Sequence, residues 1–407
     1  MRSIFSTFKG LHNKNGAPLD LLATWRKTFD DASKREVALF QKMYCDEWCT
    51  YNTPQMSLTA EAIVGKYNVR FMATVIGDES GTPLRRSDGF DVWTKEIPRV
   101  GHKFPMMARD LRKLMEVYEN PRLTEEQKVK QIEKTLKADM QDAYLGCKDV
   151  MDFILLMAMS NNGVAQFKPE INNPGGREYE VDYQMPEANK LVAAKLWNDA
   201  NITAGNVDPI LVLAMICSDL RARGIEPGEI LMDQKLYTWL RTNKQTRLLV
   251  HGDDKSAKTV TKSQFADLLS ENEIPAITVI KRRMATNPDG KRAIVEPWNG
   301  NYIAIKPAGK IAEIQPAIED SELMEEENVD YMNAGNGVRI AKWRTGESTG
   351  QTAAEFTQGS GRLLPLITEI GAIVCFQVRG FEEKEVTAEN GYLTKAEFEA
   401  NEDLATV

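Results

Sequence analysis

Histidine is scarce in this chain, with three residues, His12, His102 and His251, that lie far apart. A catalytic triad or a zinc site based on histidine would need one of them with partners brought from a distance. The sequence also lacks a Gly-x-x-x-x-Gly-Lys-Ser/Thr phosphate loop, a Gly-x-Gly-x-x-Gly turn and a His-Glu-x-x-His helix. These absences favour a structural role, although carboxylate-based enzymes leave little trace in a single sequence.

Cysteine is equally sparse: the chain has five, Cys45, Cys49, Cys147, Cys217 and Cys375, at scattered positions. An odd and scattered set predicts reduced thiols in a cytoplasmic setting rather than a disulfide framework. Cys45 and Cys49 have the i, i+4 spacing of one helical face, so metal binding is conceivable. With no histidine or second cysteine pair nearby, packing on an amphipathic helix explains them better.

Long apolar runs and a basic excess are also missing. The longest strongly apolar run, Phe153–Met159, is far short of the roughly 20 residues that a membrane helix needs, and the first residues lack a stretch of signal-peptide length. We therefore expect no membrane association. The net charge is −8, of which residues 382–407 contribute −6, so no basic footprint for tight nucleic-acid binding is present. A near-neutral or acidic protein surface would let DNA lie beside it without binding, but many ordinary cytosolic proteins are equally acidic.

Two acidic segments could be mistaken for ligand sites. Glu325–Glu327 with Asp330 could bind a cation, and His251–Asp254 superficially resembles a metal or phosphate loop. An exposed charged face and a solvated turn explain them better. We therefore predict no metal site and no cofactor.

The first hundred residues predict an arm and a ribbon. Residues 1–65 are irregular apart from one helix opened by Ser33 and Glu36. From Tyr67 to Ile76 apolar and polar residues alternate, a turn-rich tip carries Arg85 and Arg86, and Phe90–Val100 forms the returning strand. A two-stranded ribbon is marginally stable alone, so it should rest on a neighbouring subunit or on its own domain.

The strongest pattern predicts one long helix. After a first helix over Met107–Tyr118, Thr124 and Gln127 form a capping box. Behind it, apolar residues recur at steps of three or four: Val129, Ile132, Leu136, Met140, Ala143, Cys147, Met151, Ile154 and Ala158. A helix over 124–160 would be about 55 Å long. Its period near 3.6 and Gly146 argue against a coiled coil.

Beyond residue 204 helices and strands mix. Asp208-Pro209 caps a helix that ends at Gly224, Asp233 caps the next, and Thr261 with Gln264 opens a third. Short strands are predicted over 229–232, 274–280, 292–295 and 302–306, with two apolar strands over 363–367 and 372–378.

This order of elements resembles the lambda-type major capsid proteins of tailed phages, the major capsid protein E family. The similarity covers about residues 66–381 through soft patterns rather than an invariant chemical signature. Three segments carry it: Trp197-Asn198-Asp199 through Asp208-Pro209 to Tyr237; Ile274-Pro275 with Asn287–Gly290 and the strand at Tyr302; and Phe356–Gln377.

The resemblance implies an α+β protein with a Hong Kong 97-type capsid fold. Its parts would be an N-terminal arm over 1–65, an extended loop over 66–104, a peripheral domain over 105–204 and 351–381 with the long helix as its spine, an axial domain over 205–350, and an acidic C-terminal extension over 382–407. The substantial arm and the acidic extension depart from the family pattern, so their roles stay open.

The resemblance also implies a function. The chain would be a non-enzymatic homo-oligomer, a shell of pentamers and hexamers that encloses phage double-stranded DNA without sequence-specific binding. It would lie in the virion capsid, assemble in the bacterial host cytoplasm, and work with scaffold, portal and possible decoration proteins. Arg85, Arg86 or Arg99 is expected to contact acidic residues of a neighbour, namely Glu125, Glu126 or Glu133.

Other interpretations stay open on the sequence. A non-viral, encapsulin-like shell would share the fold and would co-purify with a cargo enzyme. An α/β hydrolase or transferase with a site in 205–350 would be a soluble monomer that turns over a metabolite. A tail or baseplate component would form tubes or rings.

Overall fold

The computed structural model of the chain describes residues 42–64, 91–252, 258–287, 291–346, 354–383, 388 and 390–400. These residues fall into two compact units. The first unit comprises the described parts of 42–60, 95–153 and 313–366, and the second comprises the segments between them and the end of the chain.

The first unit is organised around a largely antiparallel sheet. Its strands, in the order β1-β13-β16-β15-β14 with β4 also on β16, are β1 Cys49–Tyr51, β4 Arg99–Met107, β13 Ala312–Ala317, β14 Asp330–Gly335, β15 Val338–Thr345 and β16 Ala354–Leu366. The helices of this unit are α1 Tyr44–Trp48, α2 Ala108–Glu119, the first part of α3 Glu125–Met159, and α9 Asp320–Leu323.

Strand β16 is the longest strand and pairs with three others. Residues 354–361 lie between β15 and β4, and residues 362–366 pair with β13. Gly359 lies against helix α3, where an added Cβ would come 2.1 Å from the carbonyl oxygen of Ala143. The glycine therefore permits a close approach of helix and sheet that a larger residue would prevent.

Helix α3 confirms the predicted long helix. It extends over Glu125–Met159, about 52 Å at 1.5 Å per residue. The capping box is present, because the Thr124 N–H donates to the Gln127 side chain and the Gln127 N–H donates to the Thr124 hydroxyl. The described members of the predicted apolar stripe are all buried: Ile132, Met140, Ala143, Cys147, Met151, Ile154 and Ala158.

The second unit contains a sheet with two parallel pairs. Its order is β18-β7-β17-β12-β8-β9, and the strands are β7 Lys190–Ala193, β8 Glu229–Asp233, β9 Ile277–Ile280, β12 Tyr302–Lys306, β17 Val374–Gln377 and β18 Tyr392–Thr394. β8 runs parallel to β9, and β17 runs parallel to β7. Two separate hairpins are formed by β5 Val164–Phe167 with β6 Tyr179–Asp182, and by β10 Met284–Thr286 with β11 Ala293–Val295.

Helices cover this sheet and close its core. They are α4 Asp199–Thr203, α5 Pro209–Ala222, α6 Gln234–Thr242, α7 Lys244–His251, α8 Lys262–Glu271 and α10 Lys395–Ala400. The predicted caps are confirmed: Asp208 accepts from the N–H groups of Ile210 and Leu211, Asp233 accepts from Lys235, and Thr261 forms a full capping box. Trp197, Phe265 and Phe376 anchor the buried core.

The units divide the chain at positions other than the expected domain bounds. Residues 313–346 were expected in an axial domain with 205–312, but β13, β14 and β15 lie in the sheet of the first unit. β17 was expected in the peripheral domain, but it pairs with β12 and β7 in the second unit. The unit to which a strand belongs depends on pairing with residues far away in the chain, and the local sequence does not reveal this pairing.

The expected ribbon over 66–104 is described in part. Asp91–Glu96 (β3) pairs with Thr59–Val64 (β2), whereas the predicted strand 67–76 and the tip lie outside the described residues, as does the helix expected at Ser33. Residues 99–104 were assigned to the end of the ribbon, but they belong to the strand Arg99–Met107, which pairs with β16 along its whole length. The ribbon therefore ends before Arg99.

Candidate functional site

Two of the expected contact residues lie exposed at the start of α3. Glu125 and Glu126 occupy its first turn, where acidic side chains complement the helix dipole. Glu126 also lies 3.6 Å from the ammonium of Lys130 in an exposed i, i+4 pair. Arg85 and Arg86 lie outside the described residues, and the Glu133 side chain is likewise not described.

Arg99 contacts an acid of its own chain. Its Nε and Nη2 both lie 2.8 Å from Oε1 of Glu319, a carboxylate that is fully buried, while the Arg99 side chain is half exposed. Arg362, the cross-strand neighbour of Arg99, donates to Asp320 at 2.9 Å. Part of the Arg99 guanidinium is thus committed to stabilising Glu319, so a contact with a neighbour would use its exposed side.

A buried charge cluster lies beneath α3 in the first unit. Lys342 and Glu355 are 1% and 0% exposed, with Nζ and Oε1 3.4 Å apart, and the Arg344 Nε lies 3.0 Å from Oε2 of Glu355. Burial lowers the pKa of Lys342, although Glu355 opposes the shift. Burial raises the pKa of Asp139, which also faces Lys342. Sequence reasoning missed this cluster, because the strand register that brings these residues together was not visible.

The cysteine pair considered for metal binding lies in the core. Cys45 and Cys49 are buried, and burial raises the pKa of Cys45 well above its ordinary value, which keeps the thiol protonated. Asp152 accepts the backbone N–H groups of Tyr44 at 3.2 Å and Cys45 at 2.6 Å, and so fixes the start of α1. Among the described residues, no group of three or more potential ligands could hold a metal ion.

The second unit contains a cleft of about 250 Å³ at the carboxyl ends of β8 and β9. Ile280, Lys281 and Trp298 contribute to its wall. Its carboxylates are engaged, since Asp233 caps α6 and Glu296 lies 2.9 Å from Arg283. The cleft is thus lined by two apolar side chains, Ile280 and Trp298, together with charged and polar ones.

An exposed segment of the first unit combines apolar and acidic side chains. Leu323 and Met324 are 60% and 81% exposed, and Glu325–Glu327 follows them directly. Glu325 forms an ion pair with Arg339, whereas Glu326 and Glu327 form none with any residue that the structure describes. Large apolar groups exposed beside charges are typical of contact surfaces.

No described helix is both long and apolar enough to cross a bilayer. The arrangement as a whole provides ion pairs that hold the fold and exposed surfaces suited to protein contacts.

The family model described as phage major capsid protein E matches residues 55–280. Among solved structures, a protein assigned as the capsid protein of a prophage of Escherichia coli CFT073 has a TM-score of 0.51 and 12% identity, over 88% of this chain and 98% of that one. The satellite phage P4 procapsid that includes size determination (Sid) protein has a TM-score of 0.39 and 11% identity, over 88% of this chain and 98% of that one. The capsid of Myoviridae phage XM1 has a TM-score of 0.40 and 8% identity, over 81% of this chain and 89% of that one. No curated protein sequence matches the chain.

The prophage protein shares the fold of this chain over nearly its full length, which confirms the expected α+β capsid fold of Hong Kong 97 type. The family model covers more than half of the 407 residues. The chain belongs to the phage major capsid protein E family and is a shell-forming capsid protein.

Proposed function

We propose that copies of this chain form the icosahedral shell around the double-stranded DNA of a tailed phage, with rings of five and six subunits. The family match over residues 55–280 carries the proposal. A subunit whose contact patches do not close on themselves propagates into a lattice instead of stopping at a dimer. Many weak contacts per subunit then sum to a stable shell.

The proposal extends to location and partners. The shell assembles in the host cytoplasm, forms the virion capsid, and cooperates with scaffold, portal and decoration proteins. The packaged DNA is held without sequence-specific binding, which agrees with a net charge of −8. The chain has no catalytic role of its own.

Electron microscopy of the expressed chain, with and without its genomic neighbours, tests the proposal. We expect closed particles with five-fold and six-fold rings. Tubes or open rings would favour a tail component, and a co-purifying cargo enzyme would favour a non-viral compartment. A single compact subunit at high concentration that turns over a metabolite would contradict the proposal.

Arg85 and Arg86 are proposed to contact the first turns of α3 in a neighbouring copy, at Glu125, Glu126 or Glu133. The exposure of Glu125 and Glu126 supports this proposal. The exposed side of Arg99 is proposed to add to the same contact network.

Charge reversal tests this contact. Arg85→Glu with Arg86→Glu should prevent shell formation and leave the subunit folded, because two attractions become repulsions. Adding Glu125→Lys with Glu126→Lys should restore shells. Arg109→Glu with Arg112→Glu, on the exposed face of α2, matches the charge change as a control. Normal shells from the first double variant would refute the contact.

A further inference from the structure

The hairpin β10–β11 and its base are rich in basic side chains. Lys281, Lys291 and Arg292 are exposed on it or at its base, and none forms an ion pair with a described residue. Arg283 is already paired with Glu296 across the hairpin. Three such cations close together in a chain of net charge −8 form a local basic patch, which favours an anionic partner.

One face of the same hairpin, with Ala285 and Ile294, is exposed. Its two strands form a separate sheet that no other described strand joins, and Ile294 is 69% exposed. Two-stranded ribbons are marginally stable in water unless something covers them. A partner that covers Ile294 and carries acidic side chains would stabilise the hairpin and neutralise its exposed lysines and arginine.

The cleft at the base of this hairpin is large enough to hold one side chain. Ile280 and Trp298, which are 3% and 6% exposed, form the apolar part of its lining, beside the equally buried Arg282. The indole N–H of Trp298 has no acceptor among the described residues. A volume of about 250 Å³ accommodates an unbranched, flexible side chain such as methionine.

The exposed segment Met324–Glu327 has the complementary chemistry. Met324 is the most exposed large apolar side chain among those described, at 81%. Glu326 and Glu327 follow it and are exposed without an ion pair in the part of the chain that the structure describes. One segment thus offers an apolar side chain next to two anions, and the cleft offers the apolar side chains of Ile280 and Trp298 near three exposed cations.

We propose that the cleft and the β10–β11 hairpin of one copy bind the Met324–Glu327 segment of a second copy of this chain. The inference rests on the proposed shell function, for which it names one contact between copies. Met324 enters the cleft against Trp298, and Glu326 and Glu327 meet Lys281, Lys291 and Arg292. The contact joins two different patches, so it propagates through a lattice and does not close into a dimer.

Two complementary charge variants test the proposal. The first carries Lys281→Glu, Lys291→Glu and Arg292→Glu, and leaves the Arg283–Glu296 pair intact. The second carries Glu326→Lys and Glu327→Lys, and leaves the Glu325–Arg339 pair intact. All five side chains are exposed, so unfolding midpoints should match the wild type.

Each variant alone should need at least about tenfold more protein than the wild type to assemble, because like charges then face each other. An equimolar mixture should recover particles that contain both species, because each variant then supplies the charge that the other lacks. Recovery in the mixture places the contact between copies. A single chain that carries all five substitutions restores opposite charges at every contact, including those in a five-membered ring. Failure of both this chain and the mixture, with the two variants defective alone, would refute a contact between copies.

Methionine substitution separates the apolar part. Met324→Asp should weaken assembly, whereas Met56→Asp, at another methionine that is 68% exposed, should not. Equal effects of the two would overturn the anchoring role. If all variants assemble like the wild type, this contact is wrong while the shell function stands, and a wild type that forms no shell removes the function itself. Altered retention of DNA with normal assembly would assign the hairpin to nucleic acid and overturn the proposal.

Discussion

Glu355→Gln should destabilise the first unit more than any change to an exposed ion pair. Glu355 is 0% exposed and neutralises both Lys342, which is 1% exposed, and Arg344. Glutamine keeps the size and the hydrogen-bonding oxygen but removes the charge. Removing one member of a buried pair typically costs about 3–5 kcal/mol, because the remaining charge is left without a counter-ion. Asp139 faces Lys342 and will compensate in part, so we expect about 3 kcal/mol here.

Denaturant unfolding of unassembled subunits, followed by tryptophan fluorescence, measures this loss. Glu187→Gln is the control, since Glu187 is 62% exposed and lies 2.6 Å from Lys190, and exposed pairs contribute under about 1 kcal/mol. Replacing both partners, as Glu355→Leu with Lys342→Met, should recover part of the stability, because the two most deeply buried charges are removed together while the partly exposed Arg344 can still reach water. Equal, small losses for Glu355→Gln and Glu187→Gln would refute the buried-cluster argument.

Two further changes test the first unit. Gly359→Ala places a Cβ 2.1 Å from the Ala143 carbonyl oxygen and should cost about 1–3 kcal/mol in denaturant unfolding. Gly346→Ala, with open space around the added Cβ, should be near neutral, and equal effects would contradict the close approach. Arg362 lowers the pKa of Asp320, so this pair stabilises the fold above the ordinary carboxyl pKa of about 4 and loses that contribution as the pH falls through the lower folded value. Asp320→Asn should flatten the acid limb of the stability curve by under about 1 kcal/mol, and an unchanged limb would contradict the pairing.

Local chemistry explains which elements the sequence predicted well. Thr124 with Gln127, Asp208 with Pro209, and Thr261 with Gln264 each satisfy orphan helix N–H groups within a few residues, so the helix starts are visible in a short window. The 3.6-residue period likewise marks a helix face wherever one side is buried. The apolar end of β16, from Leu363, was similarly visible, but its polar and glycine-rich first half, from Ala354, was not.

Long-range pairing explains what the sequence could not predict. The first half of β16 is a strand because β4 and β15 flank it, and these partners lie some 250 and 15 residues away in the chain. Gly359 and Gly361 there weaken any strand pattern and make sense only once α3 is seen to lie against Gly359. The chain passes from the second unit to the first at residue 312 and back at residue 366, where composition does not change, so these positions could not be predicted from the sequence.

Buried ion pairs and exposed charges that are unpaired in the described part of this chain should affect different properties, the first fold stability and the second assembly. Arg99, Arg344 and Lys342 are paired with buried carboxylates of their own chain, so their loss leaves a buried group unsatisfied and lowers the free energy of unfolding. Lys281 and Glu326 are exposed and have no ion pair among the described residues, so their reversal leaves folding nearly unchanged. Fold stability and assembly should therefore respond to separate substitutions. A variant of the second group that unfolded as readily as Glu355→Gln would show that its charge acts within the subunit and not between copies.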